Sequence, residues 1–161
     1  RQSDIGIIMR RPKQLNYNQK KLIDINYHIY GSPKYLEKHG FPKSTSDLNK
    51  HSFISFGRGA PSPVYNPDWA LKLGTKDNKK RKTVMKVNSV YGLLLAVQSG
   101  VGLAALPDYI TVNQPNIVKV LPNIEGPITE AHFVYPQSMK NVARVQAFRN
   151  FLYSKISEWE F

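Results

Sequence analysis

The spacing of apolar positions along the chain alternates between strand-like and helix-like stretches. Residues Asp4–Met9 form a short apolar run that predicts a buried strand, closed by Arg10-Arg11 and the breaker Pro12. A polar stretch follows to Lys21. Leu22–Tyr30 then alternates around Ile23, Ile25, Tyr27 and Ile29, predicting one strand that Gly31 stops. Ser32-Pro33 has the signature of a helix start, with Ser as N-cap and Pro at the first helical position. The predicted helix Lys34–His39 ends at Gly40.

Ser46-Asp47-Leu48 predicts a helical turn and Phe53–Phe56 a short strand that leads into the loop Gly57-Arg58-Gly59. Ala60–Pro67 carries three prolines and excludes regular structure there. Trp69–Leu73 and Thr83–Val87 both alternate around the polar run Gly74–Lys82, the pattern of a long-looped hairpin with the basic cluster Lys79-Lys80-Arg81-Lys82 at a solvated tip. Asn88-Ser89 caps a predicted helix Val90–Gln98, closed by Ser99-Gly100. Gly102–Leu106, Ile117–Leu121 and Ala131–Tyr135 are predicted strands, with a turn beginning at Asp108. Val142, Val145, Phe148, Leu152 and Trp159 fall at helical spacing, so the chain is predicted to close on a long amphipathic helix. Helices and strands alternate in this order, which predicts an α/β fold.

Composition narrows the reading. At 161 residues with 41% hydrophobic residues, the chain suits one domain or a two-lobed unit with a real core. The absence of Cys removes disulfides and thiolate metal sites and fits a reducing compartment. No apolar run reaches the ~20 residues needed to span a bilayer. The net charge of +12 is compatible with nucleic acid, and equally with a general abundance of Lys and Asn. The second reading is preferred because the charges do not gather on one helix stripe. The opening Arg1-Gln2-Ser3-Asp4 is no signal peptide, and the early apolar run reads as a start inside a domain.

Enzymatic chemistry finds no motif. The G-x-S-x-G elbow is missing, and His28, His39, His51 and His132 are dispersed without metal-ligand spacing. Gly100-Val101-Gly102 hints at a dinucleotide fingerprint, but a strand and Pro107 follow where phosphate binding needs a helix N-terminus, so these glycines read as a turn. Neither a cofactor nor a metal is expected.

A set of motifs in order resembles one family. Asp4-Ile5-Gly6-Ile7, Ser32-Pro33-Lys34-Tyr35-Leu36 with Gly40 and Pro42, Leu48 to Phe56, Trp69 with Val87-Asn88, Val97–Pro107 and Phe148–Leu152 are similar to successive blocks of the inducer-binding domain of LysR-type transcriptional regulators. The Val97–Pro107 block is the most specific, and the set covers nearly the whole chain. The resemblance implies a type II periplasmic-binding-protein-like fold: two α/β lobes with a ligand cleft, lobe I being residues 1–26 with 130–161 and incomplete, and lobe II residues 27–129. It implies an effector-sensing domain, cytoplasmic and not an enzyme, whose DNA contact belongs to an N-terminal helix-turn-helix outside this chain. It implies pairing into a homodimer or higher oligomer, with the apolar helix Val90–Val97 in the interface.

A binding cleft is then expected at three places. Arg10 at a strand end can make a bidentate contact. The loop Ser55-Phe56-Gly57-Arg58 ends a core strand. The helix start Asn88-Ser89-Val90 offers unpaired N–H groups and positive dipole charge. Together they suit a small anionic or polar metabolite. Each also has a plain structural reading: a surface charge, a turn and a cap. Two other functions stay open, a solute-binding protein of the same fold and a basic nucleic-acid-binding module acting alone.

Overall fold

The computed structural model describes residues 4–9, 16–57 and 68–159, and the chain divides into two compact units. The first comprises Arg1–Ile25 and Ile128–Phe161, the second Asn26–Pro127.

In the first unit, β8 (Thr129–Pro136) lies between β1 (Gly6–Ile8) and β2 (Tyr17–Ile25), antiparallel to both. The closing helix is α4 (Ala143–Ser157). Phe133, Tyr135 and Val145 are buried together, with Leu22, Val142 and Leu152 packed against them. The helix buries less than its pattern predicts. Val145 alone is fully covered, while Phe148 is 39% exposed and Trp159, beyond the helix end, 52%. A three-stranded sheet is a narrow platform, and it covers only part of a four-turn helix.

The second unit begins one residue after β2 ends. The predicted strand Leu22–Tyr30 is two strands in two sheets: β2 stays in the first unit, and β3 (Tyr27–Gly31) starts a new sheet after Asn26. Alternation continues through both, so periodicity alone does not reveal the change of sheet. Both ends of this unit are tied at the change: Ile25 is the register partner of Thr129, and Gly126 N–H donates to the Tyr27 carbonyl at 2.7 Å.

In the second unit β3 pairs antiparallel with β6 (Ala104–Pro107) and β7 (Val118–Val120). Next to β6 lies β4 (Phe53–Phe56), joined to it by Ile54 N–H to Leu103 O at 2.8 Å and Leu103 N–H to Ser52 O at 2.9 Å. Gly102 permits this approach, since a Cβ there would stand 2.6 Å from the Ser52 carbonyl oxygen. At the far side β5 (Thr83–Val87) pairs with β4, in parallel. Helix α3 (Val90–Gln98) returns over these strands and buries Leu93, Leu94 and Val97 against Tyr30, Ile54 and Leu106. Gly100, at φ +80°, turns the chain out of α3 toward β6, in agreement with its reading as a turn.

The helix signals at Ser32 hold. Helix α1 spans Pro33–His39, the Ser32 hydroxyl accepts from Tyr35 N–H at 3.3 Å, and Gly40 follows at φ +86°. The hairpin does not form. Trp69–Lys72 is a helical turn, α2, and β5 takes β4 as its partner instead of the Trp69 segment. Over four residues, apolar-polar alternation cannot separate a strand from one helical turn, and the neighbouring buried strand decides. The basic cluster is therefore no hairpin tip. Arg81 donates to Asn49 Oδ1 (2.9 Å), Ala70 O (3.1 Å) and Thr45 O (3.2 Å), and lies over the Phe53 ring. Lys80 pairs with Asp68.

A polar knot crosses the β3 side of this sheet. The Asp108 carboxylate accepts from His28 Nδ1 (2.8 and 2.9 Å), from the Tyr30 hydroxyl (2.9 Å) and from Lys119 Nζ (3.2 Å). Burial lifts the Tyr30 phenol well above its ordinary range, and the Asp108 carboxylate adds to that shift.

Candidate functional site

The parallel pairing of β4 with β5 assembles the site. Its register sets Phe56 opposite Val87, and Gly57 N–H donates to Val87 O at 2.8 Å. A Cβ on Gly57 would lie only 3.8 Å from Asn88 N. Hence the loop after β4 and the start of α3, separate in sequence, meet at one end of two adjacent parallel strands. Ligands in α/β sheets favour such strand ends.

Of the predicted contacts, Ser55, Phe56, Gly57, Asn88, Ser89 and Val90 come together here. Ser55 is buried, Phe56, Gly57 and Val90 are half-buried, and Asn88 and Ser89 are exposed. Arg10 and Arg58 lie outside the described residues. The N-cap of α3 is Ser89, whose hydroxyl accepts from Gly92 N–H at 3.3 Å. That bond satisfies one first-turn N–H, while others at a helix start have no intrahelical partner. The dipole adds a partial positive charge.

Beside this cluster lies a small, open-mouthed hollow. Ser55, Phe56 and Val90 line it, and so do Tyr27, Trp69 and Pro107. Among the described residues none of its lining side chains is charged. Among the described residues Trp69 Nε1 is buried without a hydrogen-bond partner. Sequence reasoning placed Tyr27 and Trp69 in predicted strands and not among the site residues. The available signal was chemical: a buried Trp carries a donor that must find an acceptor. Among the described residues no group of three or more His, Asp or Glu could hold a metal, and no helix is long and apolar enough to cross a membrane.

This architecture is the α/β, type II periplasmic-binding-protein-like fold of LysR regulatory domains. The solved regulatory domain of CrgA from Neisseria meningitidis matches it with a TM-score of 0.80 at 23% identity, covering 95% of this chain and 75% of that one. Over 121 residues (73% of this chain, 41% of the relative) the sequence is 30% identical to an HTH-type transcriptional regulator of Haemophilus influenzae. Over 160 residues (97% of this chain, 52% of the relative) it is 24% identical to the HTH-type transcriptional regulator CrgA of Neisseria meningitidis serogroup B. The model of the LysR substrate binding domain matches residues 1–156, and the chain belongs to that family. It spans about half the length, or less, of these two curated relatives, which are transcriptional regulators.

Proposed function

We propose that this chain is the effector-sensing domain of a LysR-type transcriptional regulator and acts by binding a small molecule, without turnover. The ligand seat comprises Ser55, Phe56, Gly57, Asn88, Ser89 and Val90, completed by Arg10 and Arg58. The observation that carries the reading is the β4–β5 register, which sets the glycine loop against the N-terminus of α3 in a chain of this family. A helix start favours negative charge by roughly 0.3–1 kcal/mol when exposed, and an Arg fork adds directed bonds to a carboxylate. A small anionic or polar metabolite fits this chemistry. Its leverage on transcription cannot exceed its differential affinity for two conformations of the sensor. DNA contact belongs to a helix-turn-helix domain of the whole regulator, which works in the cytoplasm as a dimer or higher oligomer. The exposed Tyr91 and Leu95 on α3 suit that pairing.

The test uses the intact regulator with a reporter gene. Arg10→Ala and Ser89→Ala should each raise the effector concentration for half-maximal response while leaving operator affinity unchanged. Wild-type dose responses in both variants refute the seat.

A further inference from the structure

We propose that the basic face built around Arg81, carrying Lys72, Lys76, Lys79, Lys82 and Lys86, binds the phosphate backbone of duplex DNA without reading its sequence. This rests on the regulator reading, in which the chain is tethered to a DNA-bound domain, and goes beyond it: the sensor acquires a contact with DNA of its own.

Positive charge is concentrated here and left open. From Lys72 to Lys86 the chain holds seven Lys or Arg and one acid, Asp77. Among the described residues none of the five lysines stands in an ion pair. The neighbouring acids are engaged: Asp68 holds Lys80, and Asp47 accepts from Lys43 N–H (3.1 Å) and from the Ser44 N–H and hydroxyl (3.0 and 2.9 Å). The face is also braced. Arg81 N–H donates to Leu71 O at 2.9 Å, and its guanidinium is anchored on Asn49, Ala70 and Thr45. Gly74, at φ +68°, lies so near the same loop that a Cβ there would stand 2.6 Å from the Thr45 side chain. Arg81 is thereby held inside the unit, while Lys79 and Lys82 beside it are exposed. Lysines on a braced segment meet phosphates without the cost of ordering a free loop. Composition then selects the partner. Residues 72–86 hold no aromatic side chain to stack on the bases of a single strand. Their one Arg, the residue type best suited to guanine edges, is already committed. What stays outside is a set of ammonium groups, point charges that suit phosphate oxygens and carry no base readout.

The experiment follows binding of this chain to two labelled duplexes of unrelated sequence by fluorescence anisotropy, as a function of salt. Five phosphate contacts give an expected slope of log K against log salt of about −4 to −5, the same for both duplexes. Lys76→Gln, Lys79→Gln and Lys82→Gln combined should flatten that slope by about 2.7. Lys20→Gln, Lys140→Gln and Arg149→Gln combined remove equal charge from the first unit and should change it by less than about 1. Absence of binding at about 50 mM salt overturns the proposal, as does a wild-type slope shallower than about −2. Equal flattening in both triple variants traces the binding to total charge and overturns it too. Binding to phosphatidylserine vesicles that the first triple variant loses, with its DNA slope unchanged, assigns the face to a membrane instead. If that variant fails to fold, Lys79→Gln alone, expected to flatten the slope by about 0.9, decides. The two readings separate cleanly. DNA binding through this face, beside a reporter indifferent to Arg10→Ala and Ser89→Ala, sustains the face and refutes the effector seat. The reverse pattern refutes the face and sustains the seat.

Discussion

Removing the Asp108 carboxylate should be the most damaging polar substitution in the second unit. Its side chain is 7% exposed and that of His28 8%, so neither can turn to water without opening the sheet. Asp108→Ala strands His28 Nδ1 and takes the acceptor from the Tyr30 hydroxyl, leaving it the Thr111 side chain, at about 1–3 kcal/mol each. Lys119, with 36% of its side chain exposed, swings to solvent and adds little, about 0–1 kcal/mol. The expected loss is about 3–5 kcal/mol, near the middle of the sum of these contributions. Against a typical total of about 5–15 kcal/mol, this endangers the fold itself. At about 2–4 °C per kcal/mol for a chain of this size, the melting temperature should fall roughly 6–20 °C. Asp108→Asn keeps one acceptor oxygen and turns an amide N–H2 toward a donor, so its loss should be intermediate. The assay is urea unfolding followed by circular dichroism and, in a Trp159→Phe background, by the fluorescence of Trp69, which reports on the second unit alone. A loss below about 1 kcal/mol for Asp108→Ala would refute the assignment of the knot as a buried structural brace.

Gly102→Ala should lose about 1–3 kcal/mol, because the new methyl meets the Ser52 carbonyl oxygen, a rigid backbone atom already bonded to Leu103 N–H. The urea midpoint checks it, and an unchanged midpoint contradicts the close approach of β4 and β6. His51 should make the fold acid-sensitive. Burial, and next the nearby His39, hold its pKa below the ordinary 6.5, so the folded state favours the neutral ring. The unfolded chain takes up the proton first as pH drops through 6.5, and stability is lost progressively until the folded-state pKa is passed. His51→Gln should flatten the fall in urea midpoint between about pH 7.5 and about pH 5, and an equally steep fall in the variant removes His51 as its source.

What was legible in the sequence follows the range of the forces involved. Ser32-Pro33 with Gly40, and Ser89 ahead of α3, are local devices whose geometry is complete within a few residues, and both stand in the structure as read. The sequence offers the Ser55–Arg58 loop and the helix start Asn88–Val90 as ligand contacts one by one, and the contact between Gly57 and the start of α3 follows from the parallel β4–β5 pairing. That pairing was missed, because Thr83–Val87 was assigned to a hairpin with Trp69–Leu73, and nothing within either segment specifies the partner strand. The strand break at Asn26 was hidden for a related reason: β2 and β3 both alternate, and a change of sheet leaves no mark on alternation. Asp108 was read as the start of a turn, which it is, but the His28 and Tyr30 that meet its carboxylate lie 80 and 78 residues away.

The tied ends of the second unit have a consequence for how such chains can be recombined. The strand leaving the first unit and the strand re-entering it are register partners at Ile25 and Thr129, and one step further the same two segments are bonded from Gly126 to Tyr27. Everything between these staples is therefore an insert whose entry and exit points are fixed side by side, independently of the sequence it encloses. Splicing at Asn26 and Pro127 exchanges a whole cassette, carrying the Asp108 knot, the hollow and the start of α3 intact through two adjacent junctions.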